Sequence, residues 1–136
     1  DGCSSSNDLD MWQSMRLAAH LVAYKNSPDQ VSAKQIIRHA TIEGANAVGL
    51  GDRIGSIEVG KEADIIALDL RALHLTPVHD VDALLVFAAG RSDVTDVWVS
   101  GMEVLKNRVL TKLDIADLNI RISERISALS ELKELR

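Results

Sequence analysis

The sequence has few cysteine and aromatic residues and no long apolar run. These absences limit the compartment, the core and the class of protein that we expect. Its one cysteine, Cys3, cannot form a disulfide within the chain, so a reducing, cytoplasmic compartment is the simplest expectation. Aromatic residues make up only 3% of the chain, so the core must be built from Leu, Ile, Val and Ala. No run of about 18 apolar residues is present, so we expect no transmembrane helix. No signal-peptide pattern precedes the first polar stretch.

Clusters of basic residues are absent as well. The chain carries 15 Lys and Arg residues against 20 Asp and Glu residues, a formal net charge of -5 at pH 7. Nucleic acids and anionic membranes attract basic surfaces, so we expect neither as a partner. The rest of the composition is ordinary for a globular protein, with 46% hydrophobic and 26% charged residues in 136, a length that suits one domain.

Periodicity divides the chain into a helical first part, a β-rich middle and a helical end. Apolar residues three and four positions apart predict helices, and short alternating runs bounded by glycine predict strands. The predicted helices cover about 9–25, 32–42, 45–50, 80–89 and 114–136. The predicted strands cover 56–59, 64–69 and a hairpin that turns at Ser100-Gly101. Four short strands leave edges that need partners, which suggests that further chain covers them.

Single residues refine three of these helices. Asn7 or Asp8 can cap the first helix, with Asp10 in its first turn. The pattern Ser-x-x-Gln at Ser32 is a capping box for the second helix. The last helix is amphipathic, and its apolar stripe predicts which side chains face a core. We expect it to bury Leu118, Ile122 and Leu129 and to expose Glu124, Lys133 and Glu134.

Two stretches of the sequence resemble one protein family. The first runs from Asp1-Gly2 through Ser5-Ser6-Asn7-Asp8-Leu9-Asp10-Met11, and the second is Ile54-Gly55-Ser56-Ile57-Glu58-Val59-Gly60-Lys61-Glu62-Ala63-Asp64-Ile65-Ile66. Both are similar to the amidohydrolase superfamily, and the first selects its branch of S-adenosylhomocysteine/5-methylthioadenosine deaminases and chlorohydrolases. The resemblance extends to Ala40-Thr41, Gly44-Ala45, Gly49-Leu50 and the hairpin at 97–104, and so covers nearly all of the chain.

The resemblance implies an α/β fold, namely the carboxy-terminal fragment of a (β/α)8 metal-dependent hydrolase barrel with its share of a small β-sandwich domain. Residues 1–50 would end the barrel, as the loop after its last strand and its closing helices. Residues 51–112 would supply strands of the composite β-domain, with an intervening helix at about 80–89, and residues 113–136 a carboxy-terminal amphipathic helix. The sequence begins with Asp rather than Met, which fits a fragment, a processed product or a truncated chain.

Asp1 is the candidate site residue. The resemblance implies that it ends the eighth barrel strand, ligates the single catalytic metal and accepts a proton from the attacking water. A carboxylate suits this role because one oxygen can bind Zn²⁺ or Fe²⁺ while the other accepts a proton. Zn²⁺ is the favoured cofactor and Fe²⁺ the alternative. The remaining ligands of the family are histidines from earlier strands, which this sequence does not contain.

Other residues with reactive side chains carry weaker signals. Cys3 has neither a histidine nor a second cysteine nearby in sequence, which argues against a nucleophile. Lys61 and Glu62 adjoin in a turn, and we expect them to face solvent rather than to act as an acid/base pair. The four histidines have no ligand-type spacing, and we expect each to pack against the fold or face solvent. They are His20, His39, His74 and His79.

The function implied by the resemblance is that of an aminohydrolase. Together with its missing part, the chain would use a metal-activated water to deaminate a purine-type nucleoside such as S-adenosylhomocysteine or 5-methylthioadenosine, a small-molecule substrate. Guanine deaminase, cytosine deaminase and s-triazine chlorohydrolase are alternatives, as is a non-catalytic scaffold domain if the chain is complete. A homo-oligomer is left open, because the terminal helix has too few heptads to predict a coiled coil.

The chain by itself should not hold a catalytic metal tightly. One carboxylate supplies only one of the several ligands that such a site needs. Metal analysis of the purified 136-residue chain should therefore find well under one ion per molecule. Stoichiometric zinc bound by the chain's own residues would overturn the interpretation as a fragment.

Overall fold

The structure, a computed structural model, describes residues 8–25 and 31–134, with backbone only at positions 128, 129 and 131–134. The helices are α1 (Met11–Lys25), α2 (Ala33–Ala40), α3 (Ile42–Ala47), α4 (Val81–Phe87) and α5 (Ile115–Glu134). The strands are β1 (Ile65–Leu68), β2 (Val94–Val99), β3 (Met102–Lys106) and β4 (Val109–Leu110). Short 3₁₀ turns at Leu73–Leu75 and Arg91–Asp93 complete the described elements. None of the described helices is both long and apolar enough to cross a membrane.

The capping box of the second helix is confirmed, and the cap of the first is corrected. The Gln35 amide donates to Ser32 Oγ at 3.3 Å, and the Ser32 amide donates to Gln35 Oε1 at 2.9 Å. At the start of α1, the Trp12 amide donates to Asp10 Oδ1 at 2.9 Å. Asp10 therefore precedes the helix as its cap instead of lying in its first turn.

The second helix ends earlier than its apolar spacing predicted. It stops at Ala40, and α3 then runs from Ile42 to Ala47 through Gly44, so the short helix predicted at 45–50 begins and ends three residues earlier. The break is at Thr41, with φ -126° and ψ -103°. The Thr41 hydroxyl donates to the Ile37 carbonyl at 2.8 Å, a local bond that competes with the helix ladder and bends the chain.

The four strands form one antiparallel sheet in the order β1-β2-β3-β4. The stretches predicted as strands at 64–69 and as a hairpin at 97–104 therefore lie in the same sheet. The turn at Ser100-Gly101 is also confirmed, and both of its residues have positive φ, 48° and 77°, as the tight hairpin turn that matches strand twist requires. Asn107 and Arg108, at 48° and 66°, make a second turn of this kind.

The prediction of a strand at Ser56–Val59 is wrong. These residues form bends and turns with no ladder partner among the described residues. Ile57 is 84% exposed, and Val59 is fully exposed. A strand exists only where a second strand satisfies its backbone groups, and apolar alternation alone does not supply that partner.

A small core lies among the helices. α1 packs against α2 and α4, and α2 packs against α3 and α4. The buried apolar residues of the described chain are Ile36, Ala45, Leu75, Val86 and Ala89. The intervening helix predicted at about 80–89 is thus confirmed as α4, while the proposed boundaries at residues 51 and 113 stay predictions.

Much apolar surface remains exposed in the described chain. Leu17, Leu21 and Tyr24 form one face of α1 and are 58%, 52% and 89% exposed. A helix that is apolar on two faces is normally buried on both, and soluble monomers rarely expose contiguous apolar patches of this kind. The outer face of α1 therefore has the character of a surface that packs against further protein.

The terminal helix forms as predicted, but its apolar stripe is not buried. Leu118 is half-buried, whereas Ile122 is 47% exposed, so its expected burial is wrong for this chain. Glu124 is exposed, as predicted. No described element covers the stripe, which explains the difference. The side chains of Leu129, Lys133 and Glu134 lie outside the described residues.

Gly55 lies where the loop after α3 approaches that helix closely. Its φ is +91°, and a Cβ there would lie 2.8 Å from both Ala45 Cβ and Ile42 Cα. Gly60 in the same loop has a similar φ of +96° but no atom within 4 Å of such a Cβ. A side chain at Gly60 would therefore meet backbone strain alone, whereas a side chain at Gly55 would meet both backbone strain and close packing.

Gly55→Ala should destabilise the protein more than Gly60→Ala. Both substitutions place Cβ in the left-handed region, at about 1–2 kcal/mol, and only the first adds an overlap, at about 1–3 kcal/mol. Urea unfolding of both variants in the same protein measures the difference. Equal unfolding midpoints for the two variants would contradict the close approach of the loop to α3.

Candidate functional site

The one site residue predicted from the sequence, Asp1, lies outside the described residues. The structure does describe the segment that follows, from Asp8 into α1, together with the groups that hold it. This segment and its contacts are the part of the candidate site that the structure describes. Its elements are the start of α1, the end of α4 and the 3₁₀ turn at Arg91–Asp93.

Arg16 fastens α1 to the end of α4. Its Nε donates to the Val86 carbonyl at 3.1 Å, and its Nη2 donates to the Ala89 carbonyl. These carbonyls lie at the end of α4, where the helix leaves acceptors without a partner in the helix. The guanidinium also places positive charge at the negative end of the helix dipole. One side chain thereby satisfies two acceptors and fixes the axis of α1.

Arg91 contacts the residues just before α1. Its Nη1 donates to Asp8 Oδ1 at 2.8 Å, and its Nε lies 3.8 Å from Asp10 Oδ2. The other oxygen of Asp10 accepts the amide of Trp12 and caps the helix. The guanidinium therefore meets both carboxylates that define where α1 begins.

The turn that carries Arg91 is held by Asp93, the one buried charged residue of the described chain at 4% exposure. The Gly90 amide donates to Asp93 Oδ2 at 2.8 Å, and His74 Nε2 lies 3.2 Å from the same oxygen. The Asp69 amide donates to the Asp93 carbonyl at 2.9 Å. Arg91 therefore extends from a backbone that is fixed on both sides.

Trp12 adds an unsatisfied group at the start of α1. Its indole Nε1 is buried and has no acceptor among the described residues. A buried donor without a partner costs about 1–3 kcal/mol, so native proteins usually provide an acceptor. The first turn of α1 thus presents a donor suited to a group beyond the described part of the chain.

Lys61 has a structural role that the sequence did not predict. Its Nζ donates to the Gly51 carbonyl at 2.7 Å and to Ser56 Oγ at 2.6 Å. The side chain is only 13% exposed, so the expectation that it faces solvent is wrong. Lys61 closes the loop that lacks strand pairing. A lysine ten residues after a glycine gives no sequence signal for such a bond.

Glu62 joins the same loop to the hairpin turn. Ser100 Oγ donates to Glu62 Oε2 at 2.7 Å, and Arg53 Nε donates to Glu62 Oε1 at 2.9 Å. The Ser100 hydroxyl first, and then the Arg53 guanidinium, hold the pKa of the Glu62 carboxyl below its ordinary value. Glu62 is therefore an ionised structural link.

The histidines are dispersed through the described fold. His39 Nε2 lies 2.9 Å from Glu43 Oε2, His74 contacts Asp93, and the His20 ring lies 6.0 Å from the ring of Phe87. Across residues 8–25 and 31–134, no three His, Cys, Asp or Glu side chains converge as a metal site would need. Any metal site that includes Asp1 must draw its other ligands from elsewhere.

An open groove of about 600 Å³ separates α2 and α3 from β1 and the loop before it. Its walls are mainly apolar, and its polar side chains are those of His39, Thr41, Ser56 and Asp64. Met11, the first residue of α1, also lines the groove. Among the described residues, no set of three His, Cys, Asp or Glu side chains converges in this groove.

Comparison with known proteins adds the context that the described residues lack. The sequence model of the amidohydrolase family matches residues 1–104. A 5-methylthioadenosine/S-adenosylhomocysteine deaminase of Moorella thermoacetica is 41% identical over 127 residues, covering 93% of this chain and 30% of that protein. An S-triazine hydrolase of Gordonia rubripertincta is 40% identical over 115 residues, covering 83% of this chain and 24% of that protein.

A solved structure agrees with these sequence relatives. The crystal structure of an adenosine deaminase from Xanthomonas campestris with bound zinc is 45% identical, with a TM-score of 0.89. The alignment covers 96% of this chain and 30% of that one. The resemblance seen in the sequence is therefore confirmed, and the chain spans about a third or less of the length of the relatives that it matches.

Proposed function

Because this chain belongs to the amidohydrolase family, we propose that it is the carboxy-terminal part of a metal-dependent aminohydrolase. The observation that carries the proposal is the family match that starts at Asp1 and runs through the anchored start of α1. In this proposal, residues up to about 50 close a (β/α)8 barrel, and the strands complete a small β-domain with strands from the rest of the parent protein. The uncovered apolar face of α1 supports the need for that further chain.

Asp1 is the residue to which we assign the chemistry. As a ligand it would share one divalent metal, Zn²⁺ or alternatively Fe²⁺, with histidines of the parent that precede this chain. The zinc in the related adenosine deaminase structure supports Zn²⁺. The metal would supply the Lewis acidity that makes water nucleophilic. The described residues offer no competing ligand set, and a carboxylate fits the donor requirements of either ion.

The described residues would act on the geometry of this site rather than on the reacting atoms. The bonds of Arg16 and Arg91 fix where the segment after Asp1 enters α1. Asp1 would accept a proton from the attacking water as the water oxygen bonds to the ring carbon. It would then pass that proton to the amino group, which leaves as ammonia when its bond to the ring carbon breaks. A general base at that position contributes only if its carboxylate stays within hydrogen-bond reach of the water.

The proposed substrate is a purine-type nucleoside such as 5-methylthioadenosine or S-adenosylhomocysteine, as in the names of several relatives. A triazine ring is a second candidate, because the S-triazine hydrolase is almost as similar to this chain as the deaminases are. Guanine and cytosine remain alternatives within the same chemistry. No nucleic-acid or membrane partner is proposed, and the cytoplasm is the proposed compartment.

Asp1→Asn in the full-length parent should nearly abolish deamination. Asparagine keeps the shape of the side chain but loses its charge and its basic oxygen, and the loss of a general base costs about 10²–10⁴-fold in rate. Ammonia release from 5-methylthioadenosine and from S-adenosylhomocysteine measures the effect, with circular dichroism as the check on folding. Asp52→Asn, the same change at an exposed carboxylate, should leave turnover unchanged.

A folded Asp1→Asn variant that keeps more than about a tenth of wild-type turnover would rule out the proton-transfer role. Wild-type activity on a chlorotriazine or on guanine, with none on either nucleoside, would change only the proposed substrate. A parent that contains no metal and deaminates none of these compounds would defeat the proposed function itself.

A further inference from the structure

We infer that the groove beside β1 is a docking slot for an extended segment of the parent protein, and that this segment adds a strand to the free edge of β1. The inference rests on the proposed function, in which the rest of the parent precedes this chain. It deepens that proposal by naming the edge of the sheet, the slot and the form of the segment that enters it.

One edge of β1 is paired and the other is free. The sheet has the order β1-β2-β3-β4, so β1 pairs with β2, and no described strand lies on its other side. The free edge of a strand presents unpaired N–H and C=O groups, which pair readily with another extended chain. A strand added there would continue the sheet.

The backbone groups of Ile66 point to the free edge. The Ala63 carbonyl accepts the Gly101 amide at 3.0 Å. The Asp69 amide donates to the Asp93 carbonyl at 2.9 Å. Both bonds point to the side of β2, because their partners directly precede and closely follow that strand. Alternate residues of a strand turn their N–H and C=O groups to opposite sides, so Ile66, three positions from Ala63 and from Asp69, faces away from β2.

The groove of about 600 Å³ lies along this free edge. Ile65 and Ile66 of β1 line it, and among the described residues none from β2, β3 or β4 does. A groove over a face of the sheet would also meet the neighbouring strand, because paired strands are only about 4.7–4.9 Å apart. The opposite wall is formed by α2 and α3. An added strand would therefore lie between β1 and the two helices.

The polar side chains of the groove already have partners within the chain. These contacts join His39 to Glu43 at 2.9 Å, Thr41 to the Ile37 carbonyl at 2.8 Å, Ser56 to Lys61 at 2.6 Å and Asp64 to the Ser100 amide at 2.7 Å. The other side chains that line the groove are apolar, and Ile66 is 48% exposed. The strand edge and the apolar walls are therefore the features that an occupant would satisfy.

An extended segment with apolar residues at alternate positions satisfies both features. Its backbone would pair with the edge of β1, and the apolar side chains on one face would cover the walls. The chain spans about a third or less of the length of its relatives, so a parent of their size supplies such a segment within the same molecule. The opposite edge of the described sheet is β4, which has only two residues, so a second copy offers no comparable strand there.

The first experiment measures amide hydrogen exchange in the full-length parent, at single residues by fragmentation mass spectrometry. The Ile65 amide faces β2 by the same alternation and is the matched control. We expect the Ile66 amide to exchange at least about 100-fold more slowly than in an unstructured peptide, and within about tenfold of the Ile65 amide. Dilution of the protein by about 100-fold should leave this protection unchanged, because an intramolecular strand does not depend on concentration.

The second experiment identifies the occupant by photochemical cross-linking of the full-length parent. Ile57 lines the groove and is 84% exposed, so the fold should tolerate Ile57→p-benzoylphenylalanine. Irradiation should link this side chain to a peptide that precedes Asp1 in the same molecule. Val109→p-benzoylphenylalanine is the matched control, at a 67% exposed position of β4 that does not line the groove. It should not yield that peptide.

An Ile66 amide that exchanges at the rate of an unstructured peptide would overturn the inference. So would a cross-link from position 57 that joins two copies, or one that reaches only residues 1–136. A parent that deaminates its substrate but leaves the Ile66 amide unprotected defeats the docking slot alone. A parent with the protected amide and the intramolecular cross-link, but without metal or hydrolase activity, defeats the proposed function alone.

Discussion

Arg16 and Arg91 join α1 and the residues just before it to residues 86–93, the stretch that leads from α4 into β2. Arg16 holds α1 against the end of α4, while Arg91 and Asp93 occupy the turn from which β2 departs. Within the described residues, this junction links α1 and α4 to the turn that leads into β2. Its bonds are polar, and guanidinium groups can satisfy several acceptors at once.

The other governing constraint is apolar surface that the described chain does not bury. The outer face of α1 and the stripe of α5 are exposed, and the core is limited to a few small and medium side chains. Burial of a Leu or Ile side chain is worth about 1.5–3 kcal/mol. A chain that leaves many of them exposed gives up much of its stabilisation. Together with a length near a third of its relatives, this favours a role as part of a larger protein.

Side-chain hydrogen bonds, rather than strand pairing, hold the loop between α3 and β1. Lys61 closes the loop through Gly51 and Ser56, and Glu62 ties it to Ser100 in the hairpin turn. Gly55 permits the close approach to α3. These contacts give structural roles to Gly55, Lys61 and Glu62, which belong to the second stretch that resembles the amidohydrolases.

The sequence by itself determined the features that depend on neighbouring residues. Ser32 and Gln35 cap a helix, Ser100-Gly101 turns a hairpin and the terminal helix forms, because each needs only contacts within a few positions. The family could also be recognised from short motifs. Tertiary structure alone decided the rest. The partners of Arg16 and Arg91 lie 70 or more positions away in sequence. Within the part of the chain that the structure describes, Ser56–Val59 pair with no strand and no element covers the stripe of α5. The spacing of apolar residues predicts which face of a helix or strand is apolar. Whether that face is buried depends on another element that packs against it, and only the tertiary structure decides this.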